Sequence, residues 1–464
     1  MALYEKLIPI EMMLNKNNEV VKFCEEALKY FESISGKREA FIRILACYSK
    51  SLANLKDFEK AIGITRKAIP LICMEEKNMD VNRFIIDAYN ILVDSYARIG
   101  NEDEAVDAVL AGGKVIGKWF GGRSALEFYE NILKNYQFEK GAELILKAFI
   151  ELSEETLTED NLLISVYNIA TDLYLKEENT EKILEYAKKC LELAKKLNDH
   201  GEILGSFVKL AGVYLNIDPG IAKNYIEQGQ LLVESYPDLE KKKDLEYIQY
   251  KYYALAQDYK NADECLENFI LDIPESDENG QVLVNLYIQQ SILNFNSKNM
   301  DKSLSILNKA LEISDKYLPH ITAERSEILL KIGTIYKHRA EYEKGLEYFI
   351  NGLNIEESLK RTDFIPTILL KKSIMISYSK MNQILLAFEI GEKLAEDIDK
   401  RENLENEHTG FFYLAFGEIC QKLNLNSNAK SCFLKALRIF KNTQFEDCVK
   451  LAETSLEECK EINN

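Results

Sequence analysis

Two stretches of the chain carry the residue types of nucleotide and calcium chemistry. Gly112 to Lys118 reads GGKVIGK, which has the letters of a phosphate-binding loop, G-x-x-x-x-G-K. That chemistry needs a Ser or Thr next for magnesium and a strand ahead of the loop. Trp119 follows instead, and the preceding residues have helical spacing, so the glycines read as packing residues. Glu275 to Leu286 places Asp277, Asn279 and Gly280 like a calcium loop. The bidentate Glu required at the twelfth position is Leu286, and the first position is Glu rather than Asp. This stretch reads as an acidic loop. His200, His320, His338 and His408 share no ligand spacing, and no cysteine stands near enough to complete a zinc site. No Ser, Cys or Lys has a recognisable nucleophile context. The chain is therefore expected to hold no metal or cofactor and to be no enzyme.

The charge balance narrows the partners. Lys and Arg total 58 against 76 Asp and Glu, a formal net charge of −18 over 464 residues. Phosphate backbones and anionic lipid surfaces call for a basic face, so nucleic acid and membrane are not expected partners. The chain is 47% hydrophobic and 29% charged, enough to bury a core, and its 7 prolines and 21 glycines are too few for a turn-rich β sandwich. No basic leader or long apolar run opens the chain. Nine cysteines stand without a C-x-x-C pair, which suits a reducing compartment. A cytoplasmic location is the expectation.

The elements that position these residues show up as a repeat. Leu329, Ile332, Gly333 and Tyr336 lie on one helical face, and Gly345, Phe349 and Gly352 follow on a second helix after an interruption. Sliding this helix–turn–helix unit along the chain gives anchors at Val20, Ala61, Ala105, Gly141, Ile183, Ala222, Ala262, Ser303, Gly345, Ala387 and Ala429. Neighbouring anchors are 36 to 44 residues apart, mostly 40 to 42. Seven residues on stands a second column: Ala27, Ala68, Gly112, Ala148, Cys190, Gly229, Phe269, Ala310, Gly352, Leu394 and Ala436. Small residues dominate both columns. Two columns agreeing at one period mark a helical repeat array.

These columns resemble the tetratricopeptide repeat, with Tyr413, Phe416, Gly417, Ala429, Phe433 and Ala436 repeating the pattern and Tyr89, Leu92, Tyr96, Gly100 and Ala105 giving it again. The family's usual period is 34 residues, so the helices here should be longer. The units anchored at Val20, Gly141 and Ala222 fit the pattern least well. The resemblance implies an all-α, right-handed superhelical solenoid of about eleven helix–turn–helix hairpins over residues 1–440. Residues 441–464 are expected to form a C-terminal capping helix, opened by a capping box at Thr443 to Glu446. Phe445, Val449, Ala452, Leu456 and Cys459 would be its apolar stripe. Tyr96, Tyr174, Tyr253, Tyr336 and Tyr378 share one column and read as packing.

In the family this resembles, peptides or partner helices lie along the inner wall built by the first helix of each hairpin. Carrying its inner-face positions onto this sequence gives Asn90, Asp94 and Arg98 in one unit and Asn168, Asp172 and Lys176 two units on. Later units contribute Lys251, Thr334, Lys337, Lys372, Lys380 and Lys422. A carboxamide can pair with a peptide backbone through both donor and acceptor, and Lys or Arg can hold a carboxylate. The expected function is a non-enzymatic scaffold that binds a protein or peptide on its concave face, with Asn90 and Asn168 as backbone clamps. The alternative is a peptide-responsive regulator similar to the pheromone receptors of Gram-positive bacteria, acting by seizing a partner protein. Those receptors carry an N-terminal effector module, whereas the repeats here are expected to begin almost at Met1.

Overall fold

A computed structural model of the protein describes residues 2–31, 38–75, 79–138, 141–156, 161–401, 404–443 and 445–461. The chain divides into two compact units, Met1–Leu245 and Glu246–Asn464. In the first unit the helices pair as α1 (Ala2–Met13) with α2 (Asn17–Phe31), α3 (Arg38–Asn54) with α4 (Phe58–Cys73), and, after the single turn α5 (Met79–Asn82), α6 (Phe84–Arg98) with α7 (Glu102–Phe120). Next come α8 (Gly122–Asn135) with α9 (Ala142–Thr156), α10 (Asn161–Lys176) with α11 (Thr180–Leu197), and α12 (His200–Tyr214) with α13 (Pro219–Ser235).

The second unit takes in most of α14 (Lys242–Leu255), which precedes α15 (Tyr259–Leu271). It continues with α16 (Gly280–Asn296) and α17 (Met300–Tyr317), then α18 (Ala323–His338) and α19 (Tyr342–Leu359). The last pairs are α20 (Ile365–Lys380) with α21 (Ile384–Asp399) and α22 (Glu407–Lys422) with α23 (Asn426–Asn442), closed by α24 (Glu446–Glu461). No strand occurs among the described residues. The architecture is an all-α helical-repeat solenoid.

One local device builds most of the inner turns. A residue with positive φ ends the first helix of nine hairpins: Asn15, Lys56, Gly100, Glu178, Gln257, Lys298, Ala340, Asn382 and Asn424. The next residue sends its N–H back to the last helical turn, as Asn101 does to the Tyr96 carbonyl at 3.0 Å and Asp258 to that of Tyr253 at 2.9 Å. This 6→1 bond is the Schellman closure. The same residue then caps the second helix: Asp57, Asn101, Asn179, Asp258 and Asn299 each accept from the backbone N–H three residues on. The tyrosine column therefore has a backbone role too, since the carbonyls of Tyr96, Tyr174, Tyr253, Tyr336 and Tyr378 all receive that closing bond. The α12–α13 turn lacks the positive-φ residue, and none occurs among the described residues of the α8–α9 turn. These belong to two of the three units whose patterns fit least well; the third, anchored at Val20, keeps the closure at Asn15.

The small-residue columns are the contact between paired helices. Ala61, Ala105, Ala222, Ala262, Ala387 and Ala429 are wholly buried. A Cβ added at Gly345 would stand 3.0 Å from the carbonyl oxygen of Gly333, and one at Gly112 would stand 2.9 Å from the Tyr89 ring. Gly112 and Gly113 lie inside α7 against Tyr89, Phe128 and Tyr129, so GGKVIGK is a helix surface with no loop. Asn279 turns its amide to the Pro274 carbonyl at 3.0 Å ahead of α16, and no metal-ligating cluster exists among the described residues.

Some local expectations fail. Thr443 does not open a capping box: its hydroxyl donates back to the Ile439 carbonyl at 2.9 Å, ending α23 rather than starting α24. Gln444 of that box lies outside the described residues, as does the Cys459 side chain. Of the expected apolar stripe, Ala452 and Leu456 are buried while Phe445 is exposed. His200 is not simply solvated; it stacks on Tyr236 with ring centres 3.9 Å apart.

Candidate functional site

The first helices bring the expected binding residues to two very different settings. On α6, Asn90, Asp94 and Arg98 recur at one turn each. Asp94 Oδ1 accepts from the Tyr136 hydroxyl at 3.1 Å and from Arg98 Nε at 3.4 Å. Asn90 is half-buried, and its Oδ1 is shut off from water without a hydrogen-bond partner.

Two hairpins on, the equivalent carboxamide is fully engaged. Asn168 on α10 donates to Glu202 Oε2 at 2.8 Å, and its Oδ1 accepts from Lys209 Nζ at 3.1 Å. Lys209 also meets Asp172 Oδ1 at 2.7 Å, and Lys241 pairs with Glu202 at 2.8 Å. Burial raises the Glu202 carboxyl, but the bonds from Lys241 and Asn168 outweigh it and hold the group below its usual range. Lys176, at the end of α10, is exposed. Asn168 and Asp172 thus belong to a strip that ties α10 to α12 and is satisfied within the protein. Sequence reasoning missed Glu202, Lys209 and Lys241 because the partners stand 34 to 41 residues from Asn168 and Glu202.

In the second unit Lys251 is exposed on α14, with its Nζ 4.6 Å from the Tyr247 ring centre. Lys337 on α18 and Lys372 on α20 meet at one pocket of about 370 Å³. Leu330, Thr334 and Lys337 face it from α18, and Leu369, Lys372 and Ser373 from α20. Ile292 and Phe295 on α16 form a wall, and buried Ser303 and Leu307 on α17 lie beneath. These spacings of three, four and seven residues put each set on one helical face. Three of the lining hydroxyls are already used: Ser291 donates to the Ile288 carbonyl, Ser303 to that of Ser291 and Thr334 to that of Leu330.

The two lysines are not. No carboxylate among the described residues pairs with Lys337 or Lys372; their neighbours are the faces of Phe349 at 6.0 Å and Phe411 at 5.7 Å. Burial holds the Lys337 amine below its usual range. Burial, then the Lys337 charge, push Lys372 down to about 8. Lys331 at the rim is compensated by Glu327 at 3.2 Å, and Lys371 by Asp397 at 3.2 Å. A larger cleft of about 580 Å³ opens between α1 and α3. Of its cations, Arg38 and Arg43 are paired with Glu75 and Glu39, and Lys6 is exposed to solvent. The pocket on α16, α18 and α20 is the candidate site: an apolar hollow with two positive charges and no counter-ion. Sequence reading placed Lys337, Lys372 and Thr334 there but missed Phe295, Leu330 and Leu369, which look like ordinary core residues until the helices are stacked.

Comparison with known proteins follows this geometry. A family model described as tetratricopeptide repeat matches residues 412–443, the hairpin α22–α23. No curated protein sequence matches the chain. Among solved structures, a Signal Transduction ATPase with Numerous Domains protein with a tetratricopeptide repeat sensor, from Pyrococcus horikoshii, aligns with a TM-score of 0.56 at 14% identity. The alignment covers 82% of this chain and 56% of that one, so the chain spans little more than half of that protein's length. The apo form of RapI aligns with a TM-score of 0.49 at 12% identity over 87% of this chain and 98% of that one. A kinesin light chain with nearly identical TPR-like repeats gives a TM-score of 0.37 at 13% identity over 43% of this chain and 95% of that one. The family model thus marks α22–α23 as a tetratricopeptide repeat, and the chain as a whole has the fold of a tetratricopeptide-like helical-repeat solenoid.

Proposed function

We propose that the protein is a non-enzymatic binding scaffold that takes a protein or peptide segment against the first helices of its second unit, anchored in the pocket between α16, α18 and α20. One observation carries this reading: Lys337 and Lys372 are half-buried cations without a counter-ion at an apolar hollow. Buried charge is costly unless something pairs with it, and such unspent interaction potential is what a binding surface offers. The hollow has the size range and largely apolar lining of ligand sites. In the first unit, Asp94 is engaged by Tyr136 and Arg98, and Asn168 and Asp172 share Lys209, which fits a structural role.

Selection of a displayed peptide library on the purified protein tests the proposal. The expected result is a family of peptides that protect α18 and α20 from hydrogen exchange and lose affinity when Leu369→Asp spoils the hollow. Peptides that bind this variant as well as wild type would move the site elsewhere. Binding of a whole protein only in the presence of a peptide would favour the peptide-responsive regulator.

A further inference from the structure

We propose that the pocket between α16, α18 and α20 recognises an internal acidic side chain beside an apolar anchor, the anchor filling the hollow and the carboxylate bridging Lys337 and Lys372. The inference rests on the peptide-scaffold reading and adds the chemical class of the segment. The hollow is a depression of about 370 Å³ on one face of the stacked helices, a size that suits side chains presented by a bound segment. Its apolar lining, from Ile292, Phe295, Leu307, Leu330 and Leu369, selects one apolar side chain.

The charges select the neighbour of that side chain. The hydroxyls of Ser291, Ser303 and Thr334 are committed to backbone carbonyls, and the two ammonium groups are the charged donors at the pocket without a paired carboxylate among the described residues. A carboxylate accepts from both at once and removes their mutual repulsion. A backbone carbonyl would leave the second positive charge uncompensated. A cationic segment is repelled by both. The protein's formal net charge of −18 sets this basic spot apart from its surroundings and opposes broad attraction of acidic ligands, so charge serves here to choose register rather than to gather ligand.

The test uses heptapeptides with both termini blocked and an uncharged BODIPY label, so that any carboxylate comes from a side chain. A central Phe-Glu pair is compared with Phe-Gln and Ala-Glu by fluorescence anisotropy on the full chain. The Phe-Glu probe is expected to bind roughly ten- to hundredfold tighter than Phe-Gln, the range of charge-assisted hydrogen bonds. That margin should vanish in Lys337→Met/Lys372→Met. The variant must melt at or above the wild-type temperature, which separates lost recognition from lost folding. Equal binding of Phe-Glu and Phe-Gln would overturn the acidic preference while leaving a peptide scaffold in place. No binding of these probes, with library-selected peptides still bound, would also overturn it. Failure of every peptide would sink both readings. Octanoate protecting the pocket where the Phe-Glu probe does not would overturn it in favour of a small amphipathic acid.

Discussion

The polar strip on α10 and α12 and the pocket on α18 and α20 use the same residue types on equivalent helices, with opposite outcomes. In the strip, Lys209 lies between Asp172 at 2.7 Å and Asn168 at 3.1 Å, and Lys241 meets Glu202. In the pocket, Lys337 and Lys372 face aromatic rings and each other. A lysine on a first helix is therefore not in itself a binding residue. What decides is whether a neighbouring first helix supplies a carboxylate at the matching height. To Lys209 on α12, α10 supplies Asp172; to Lys337 on α18, α16 and α20 bring apolar side chains, serine and a second lysine.

The largest expected effect concerns the backbone contact that holds α18 in place. Gly345→Leu would drive a Cβ against the Gly333 carbonyl, a backbone atom that cannot turn aside. The expected cost is about 1–3 kcal/mol, read from chemical denaturation, together with weaker binding at the pocket. Unchanged stability would mean that α18 and α19 do not approach as described.

Substitution of one lysine in each region tests the contrast directly. Lys372→Met removes a desolvated cation and should stabilise the protein by about 1–2 kcal/mol. Lys209→Met removes bonds to Asp172 and Asn168 and should destabilise it by about 0.5–1.5 kcal/mol. Changes of the same sign would erase the distinction between strip and pocket.

The pH dependence of Lys372 sharpens it further. Its pKa is lowered to about 8 in the folded protein from the usual 10.5. Below 8 the amine is charged in both states and its burial penalty is felt in full. Between about 8 and 10.5 the unfolded chain holds the extra proton, so wild-type stability rises relative to Lys372→Met as pH increases. The charged group acting on it is Lys337 on α18, and α22 contributes the Phe411 ring. Urea denaturation of both proteins at pH 7 and pH 9.5 should show the gap narrowing. A constant gap would show that Lys372 titrates as an exposed lysine.

The smallest effect separates the two asparagines. Asn168→Ala loses bonds to Glu202 and Lys209 and should cost about 0.5–1.5 kcal/mol. Asn90→Ala removes an acceptor that has no partner, so stability should move by less than about 0.5 kcal/mol or rise slightly. Equal losses would show that Asn90 is satisfied in solution.

Much of the fold was legible along the chain, for a local reason. Alanine and glycine recur at anchors such as Ala61, Ala105 and Gly345 because paired helices touch there at every repeat, and such contacts leave a periodic trace. The turns left one too: an Asn or Asp at positions such as Asn101, Asp258 and Asn299 caps the second helix within the same turn. Where the trace weakened at Ala222, the turn itself is built differently, whereas the Val20 unit, equally weak in sequence, keeps the closure at Asn15. The Thr443 capping box failed because a hydroxyl at a helix end can bond backward as readily as forward, and letters alone do not say which.

The sequence by itself thus determined the helical repeat, its period and the faces of its helices, since these depend on neighbours within about forty residues. It also put Asn168, Lys337 and Lys372 on a common kind of face. Only the tertiary structure decided their fates, because hydrogen bonds and charge compensation are settled between side chains on different helices. Asn168 finds Glu202 and Lys209 across from it and becomes part of the scaffold. Lys337 and Lys372 find Phe349, Phe411 and an apolar hollow, where desolvation without a counter-ion keeps their charge in need of a partner.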